Sequence, residues 1–238
     1  QTSLWSIIDQ IDTGYPEKDL IYKDIFRLSY YFIEYTSRTN FYRPNKSALS
    51  FRINGSILKK LPYQYDQLFS ELPYSIFFIC NNHCLGFHIR FRDLSRGGLR
   101  TIIPKDNNQY YTSKQSLFQE VYHLAFTQQK KNKDIPEGGA KSALIVRPFT
   151  NTWDGSQHKT TIFHSSEKMY VNSCQKSFID NLLVLVNTND QGKLKARNIV
   201  DYLNRSEYIY IGPDENMPDR TIQWIAERSK HHEYFPKG

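Results

Sequence analysis

Two cations flanked by glycine pairs are where this sequence could do chemistry. Arg96 stands in Ser95-Arg96-Gly97-Gly98-Leu99-Arg100, and Lys141 in Pro136-Glu137-Gly138-Gly139-Ala140-Lys141. Between them a helical stretch ends in Lys130-Lys131-Asn132-Lys133-Asp134. Residues 90–147 hold eleven Lys or Arg against five Asp or Glu, most of the chain's net charge of +7. Glycine lets backbone or ligand come close, so a cation beside a glycine pair can be held against a small anion. Arg96 can offer a planar fork to one carboxylate of a dicarboxylate, and Lys131 a point charge to the other. Lys141, crowded by those cations and partly desolvated, has its pKa lowered by both effects. A lysine so poised can deprotonate a water beside a carbonyl or imine. Asp214, in Gly212-Pro213-Asp214-Glu215-Asn216, follows a short apolar run that reads as a strand. Open α/β sheets place ligand residues at such a strand end, and a carboxylate there can exchange protons with an amine.

Each residue also has a plainer reading. On spacing alone Arg96 is more often a solvated or ion-paired arginine, and Lys131 can be read as a cation complementing a helix end. Asp214 after Gly-Pro is a good turn residue. Gly138-Gly139-Ala140-Lys141-Ser142 lacks the upstream glycine of a phosphate loop and opens a strand rather than a helix. No Gly-x-Gly-x-x-Gly occurs, so no dinucleotide fingerprint is present. Cys80-Asn81-Asn82-His83-Cys84 offers two thiolates and an imidazole, but structural zinc wants four ligands and no second pair exists. We read reduced structural cysteines in a hairpin turn and no metal. His88 and His123 fall on strand and helix patterns and read as ordinary structural histidines.

The elements that must position these residues can be traced in order. Apolar residues at Ile21, Ile25, Leu28, Tyr31, Phe32 and Tyr35 predict a helix over 20–35. Residues 49–55 read as a strand, and 74–80 and 85–92 as an antiparallel pair turning at Asn81-Asn82. Residues 114–131 read as a helix with Leu117, Val121, Leu124, Ala125 and Gln128 on one face. A strand over 142–146, a loop over 149–166 and a helix over 171–186 follow, with Cys174, Phe178, Leu182 and Leu185 inward. A strand over 208–211 leads to Asp214, and Asp219 caps a helix over 220–230. Alternating strands and helices predict an α/β fold with a mixed sheet flanked by helices. We expect an N-terminal helical and strand region over 1–73 and a larger domain over 74–238.

The chain has 238 residues, 17 Tyr, 15 Phe and three cysteines. That suits a folded protein from a reducing compartment rather than a disulfide scaffold. No apolar run approaches the roughly 20 residues of a membrane span. No signal peptide is visible, and a start at Gln1 reads as a piece of something longer. A pI of about 9.1 with abundant aromatics also fits a nucleic-acid-binding module using stacking and phosphate contacts.

Phe87-His88-Ile89-Arg90-Phe91-Arg92-Asp93 with Ser95-Arg96-Gly97-Gly98-Leu99-Arg100 resembles the substrate-domain entry of large NAD-dependent glutamate dehydrogenases. The run from Thr127 to Lys141, the run Tyr210-Ile211-Gly212-Pro213-Asp214-Glu215-Asn216-Met217 and Trp224-Ile225-Ala226 extend the resemblance. The resemblance implies that Lys141 is the catalytic lysine that activates water, and that Asp214 is the proton donor and acceptor. It implies substrate binding by Arg96, Lys131, Gly97, Gly98 and Gly139. Arg96 stands where the smaller enzymes have lysine, Ser142 where the family usually has glycine, and Lys131 is closer to Pro136 than in the small enzymes. The implied reaction is NAD-dependent oxidation of L-glutamate to 2-oxoglutarate and ammonium. The implied setting is a homo-oligomer, cytoplasmic or, in a eukaryote, mitochondrial, with neither nucleic acid nor membrane as partner. The expected fold is the substrate-binding domain without its Rossmann NAD domain, inactive by itself. A catalytically dead regulatory relative is the remaining expectation.

Overall fold

Strands β3 (Ser75–Cys80) and β4 (Cys84–Arg90) form the antiparallel hairpin that their aromatic and β-branched runs predict. Asn81 closes its turn: its N–H donates to the Cys84 carbonyl at 2.9 Å, and its side-chain oxygen accepts from His83 and Cys84. The structure, a computed structural model, describes residues 3–62, 68–149 and 159–234. Around the hairpin, β1 (Thr36–Thr39), β2 (Leu49–Asn54), β5 (Ser95–Ile102), β6 (Gly138–Val146), β7 (Val200–Asp201) and β8 (Tyr210–Pro213) complete one sheet. The order is β7-β1-β2-β3-β4-β6-β5-β8. β5 runs parallel to both β6 and β8, and the other pairings are antiparallel. The boundary expected near residue 73 falls between β2 and β3, which pair along their whole lengths.

Helices cover both faces. Alternation along β6 sends Ala143 and Ile145 toward α3 (Asn107–Lys130), where Leu117, Val121, Tyr122 and Ala125 are buried. Leu144 and Val146 point the other way, toward α4 (Lys159–Val186). There Cys174, Phe178, Leu182 and Leu185 face inward, as their spacing predicts. α5 (Asp219–His231) packs beside α4 through Trp224 and Ile225.

Several expectations give way. The stretch 95–102, given no element from the sequence, is a strand, although glycines weaken strand propensity; burial between two neighbours overrides it. α3 starts at Asn107 rather than 114, because Asp106 accepts the Gln109 N–H at 2.8 Å and Gln109 reaches back to Lys105. Of the loop expected over 149–166, residues 150–158 lie outside the described residues, and helix begins at Lys159. Asp219 is not a cap; Pro218 occupies that position without a side-chain bond, and Asp219 stands in the first turn. In α2 (Pro16–Tyr35), the helix expected over 20–35, Ile21 and Ile25 are exposed, and the Phe32 and Tyr35 end packs on the core.

Candidate active site

β5 is the central strand of the parallel trio, and Lys141 on β6 and Asp214 after β8 flank it on either side. Strand alternation turns Arg96, Gly98 and Arg100 of β5 to the same face as Gly139 and Lys141 of β6. That face carries α3, since Arg100 bonds Glu120 of α3 at 2.9 Å. Lys141 lies in the middle of β6, opposite Ile89 of β4, rather than before its strand as expected. It reaches over β5 to pair directly with the Asp214 carboxylate.

Asp214 is held by its own turn. Its second carboxylate oxygen accepts the Glu215 N–H at 2.8 Å. The Glu215 carbonyl accepts from the Thr101 N–H at 2.9 Å, and the Asn216 side chain donates to the Thr101 carbonyl at 2.8 Å. Asn216 adopts φ 58°, a left-handed conformation that asparagine tolerates, and Gln175 of α4 donates to its carbonyl at 2.8 Å. The turn is thus sewn to the end of β5 and to α4.

The glycines make this approach feasible for distinct reasons. A Cβ on Gly98 would lie 3.0 Å from the Asp214 Cβ and 3.1 Å from its Oδ2. One on Gly97 would lie 1.9 Å from the Ala140 carbonyl oxygen, and one on Gly139 2.0 Å from the Gln129 nitrogen. Gly98 clears the way for the ion pair, whereas Gly97 and Gly139 let backbones pack against β6.

Burial holds the Lys141 ammonium below the ordinary lysine range, helped by Arg100 and Lys131 and opposed by Glu120 and Glu215. The direction and both causes are those read from the sequence, but the nearby cations are Arg100 and Lys131. Arg96 turns instead to Glu137, 2.9 Å away and nearly buried, while its own side chain stays 55 % exposed. Lys133 tethers the same loop by donating to the Gly138 carbonyl at 2.9 Å. Lys131, exposed at the C-cap of α3, makes no ion pair among the described residues.

Sequence reasoning passed over two groups here. Arg100 sits between Glu120 and Glu215, at 2.9 and 3.2 Å, and is the first cation acting on Lys141. Its position four residues after Arg96 on one strand face was the available signal. Gln129 accepts the Gly139 N–H at 2.7 Å, pinning the strand start under α3, and only the fold reveals that contact.

On the opposite face lies a second polar group. His88 is buried, with Nδ1 2.7 Å from the Ser142 hydroxyl, so Ser142 turns away from Lys141. Beyond it Arg38, Arg52 and Arg90, all buried, converge on Glu207. Arg52 binds Glu207 through two bonds of 2.8 Å, and Arg38 also holds Asp201 at 2.8 Å. Among the described residues no group of three or more His, Cys, Asp or Glu could hold a metal ion. No described helix is long and apolar enough to cross a membrane.

The chain matches the family model described as "Bacterial NAD-glutamate dehydrogenase, catalytic domain" over residues 13–223. It is 36 % identical over 206 residues to Glutamate dehydrogenase 2 of Dictyostelium discoideum, covering 87 % of this chain and 17 % of that protein. It is 38 % identical over 194 residues to the NAD-specific glutamate dehydrogenase of Saccharomyces cerevisiae, covering 81 % and 15 %. Against the enzyme of that name from Neurospora crassa the identity is 34 % over 193 residues, covering 81 % and 16 %. The chain therefore spans about a sixth of the length of these relatives.

Proposed function

This chain belongs to the bacterial NAD-glutamate dehydrogenase catalytic-domain family, and from that premise we propose that it supplies the substrate-binding and proton-handling residues for NAD-dependent oxidative deamination of L-glutamate. The Lys141–Asp214 pair, bridging β5 above Gly98 and ringed by cations, is the observation that carries this reading.

NAD is the oxidant named for the relatives. The described residues do not fit its pyrophosphate: the turn between β5 and the helix that follows it reads Ile103-Pro104-Lys105-Asp106, without the glycines that let backbone approach a phosphate. The chemistry of this chain is therefore substrate binding and imine hydrolysis. Exposed Lys131 offers a point charge to one substrate carboxylate, and half-exposed Arg96 offers its fork to the other in exchange for Glu137. Water adds to the imine carbon of 2-iminoglutarate while neutral Lys141 takes its proton. The displaced C=N electron pair accepts a proton from Asp214, which enters this step as the acid. The carbinolamine nitrogen then takes the proton held by Lys141, and the hydroxyl returns its own to Asp214. The C–N bond breaks to leave 2-oxoglutarate and ammonia, which water protonates. A lowered lysine pKa is what this sequence of transfers needs near neutrality.

The nucleic-acid reading finds little support. Arg96, Arg100, Lys130 and Lys133 each face a carboxylate of this chain, so the basic stretch is not an open stripe for phosphates. Glutamate-dependent NAD⁺ reduction by the full-length protein, beside its Lys141→Ala variant, tests the proposal. We expect turnover in the parent and a loss of about 10²–10⁴-fold in the variant. A folded parent with no glutamate-dependent NADH formation overturns it.

A further inference from the structure

A sizeable cleft lies apart from this chemistry and shares no lining residue with it. It occupies about 760 Å³ between the C-terminal ends of α4 and α5, the loop after β1 and the segment 195–197. The volume falls within the range of small-molecule sites, roughly 300–1,000 Å³. Its lining is basic: five Lys or Arg stand against two carboxylates, Asp180 and Glu233. Arg228 is committed to Asp180 by bonds of 2.7 and 3.3 Å, and Lys195 to Glu233 at 3.2 Å. The other three cations, Arg43, Lys46 and Arg197, face no carboxylate among the described residues. Backbone carbonyls orient two of them, since Lys46 donates to the Arg43 carbonyl at 2.7 Å and Arg43 to the Arg197 carbonyl at 3.3 Å.

Asn187 adds a second, independent requirement. It lines this cleft and an adjoining one of about 420 Å³, and is itself only 6 % exposed. Its amide nitrogen donates to the His232 carbonyl at 2.7 Å, which fixes the amide orientation because a carbonyl can only accept. Its Oδ1 is left buried without a donor. A bare anion satisfies the cations but not this acceptor; an O–H on the same molecule satisfies both.

We propose that this cleft binds a small phosphate ester that also carries a hydroxyl group, a sugar phosphate or a nucleotide. Three uncommitted cations match a dianionic phosphate, and Asn187 accepts from the hydroxyl. The site shares no residue with the Lys141–Asp214 pair, so it stands whether or not glutamate is the substrate.

Calorimetric titration of the full-length protein with ribose 5-phosphate, AMP and inorganic phosphate tests it. We expect one saturable site per chain and at least tenfold tighter binding of an ester than of inorganic phosphate. The Arg43→Ala/Arg197→Ala variant should weaken ester binding at least tenfold, and Lys141→Ala should leave it unchanged. AMP tighter than ribose 5-phosphate assigns the site to nucleotides, and equal binding assigns it to the sugar phosphate. No saturable binding by the unaltered protein up to about 10 mM overturns the proposal, a test independent of how any variant folds. Binding that survives the arginine changes, disappears with Lys141 or is no tighter than that of inorganic phosphate also overturns it.

Discussion

The Lys141 ammonium and the Asp214 carboxylate, 73 residues apart in sequence, meet above Gly98 of the strand that separates theirs. Neither local spacing nor helix periodicity creates this contact. It arises because β5 pairs with β6 on one edge and β8 on the other, in parallel on both. The site depends on how thin β5 is at its glycine pair.

The two glycines should therefore fail differently. In Gly98→Ala the new methyl would crowd Asp214 at 3.0 Å while meeting no backbone among its three nearest atoms, so Asp214 is displaced and the fold survives. We expect roughly 10²-fold loss of glutamate oxidation with a stability change below about 1 kcal/mol. Gly97→Ala puts its methyl 1.9 Å from a carbonyl oxygen of β6 and must separate the strands. A loss of at least about 3 kcal/mol in urea unfolding is expected there. Equal stability of the two variants would show that β5 yields where the contacts say it cannot.

Arg100 should set the pH at which Lys141 becomes a base. Burial acts first to lower the Lys141 pKa, and Arg100 is the leading charge acting in the same direction. Lysine is the active base when neutral, so activity falls as pH drops through its pKa. Arg100→Gln removes a cation and frees Glu120 and Glu215, both of which favour the ammonium. The acidic limb of the kcat profile should move to higher pH, with a several-fold lower rate at neutrality and recovery at alkaline pH. A uniform loss at every pH would assign Arg100 to holding the fold or the substrate instead.

Glu207 should be the costliest carboxylate to neutralise. Burial alone would raise its pKa, but Arg52 and Arg90 outweigh that and hold it below the usual range. Glu207→Gln leaves Arg38, Arg52 and Arg90 buried with Asp201 as their remaining close carboxylate apart from the exposed Asp93. Breaking one side of such a cluster costs about 3–5 kcal/mol, readable from the urea midpoint. A change under about 1 kcal/mol would mean that water or relaxation already solvates the guanidinium groups.

Two of the candidate residues singled out in the sequence, Lys141 and Asp214, are brought together by the fold, while much of the fold that does so was not legible. Lys141, Asp214 and the lowered lysine pKa followed from residue types, glycine pairs and charge density. The β3–β4 hairpin and the inward face of α4 followed from periodicity. Strand β5 did not, because Ser-Arg-Gly-Gly-Leu-Arg carries neither β-branched runs nor clean apolar alternation. Its identity as a strand is imposed by two neighbours, and with it the shared face that includes Arg100. The Arg38–Arg52–Arg90–Glu207 cluster was equally hidden, since its first and last members are 169 residues apart (207 − 38) and each resembles a surface charge in isolation. Long-range pairing, not local propensity, places both groups.

His88 offers a test of the other sheet face. Burial first, and then the Arg90 charge, push its pKa from 6.5 down to about 3, so it is neutral in the folded protein. The unfolded chain takes up that proton as pH falls below 6.5, whereas the folded protein does not until about 3. Stability attributable to His88 is therefore complete above the unfolded pKa and is lost progressively as pH drops through this window. The limiting slope is about 1.4 kcal/mol per pH unit. Urea unfolding between pH 6.5 and 5 lies above the range where carboxylates titrate, and His232, whose pKa burial and then Arg228 also lower, acts there in the same direction. His88→Gln, which has no proton to gain at this position and can still bond Ser142, should lose less stability toward acid over that interval than the parent, the difference being the His88 contribution. An identical slope in both proteins would place the acid-sensitive proton on another group.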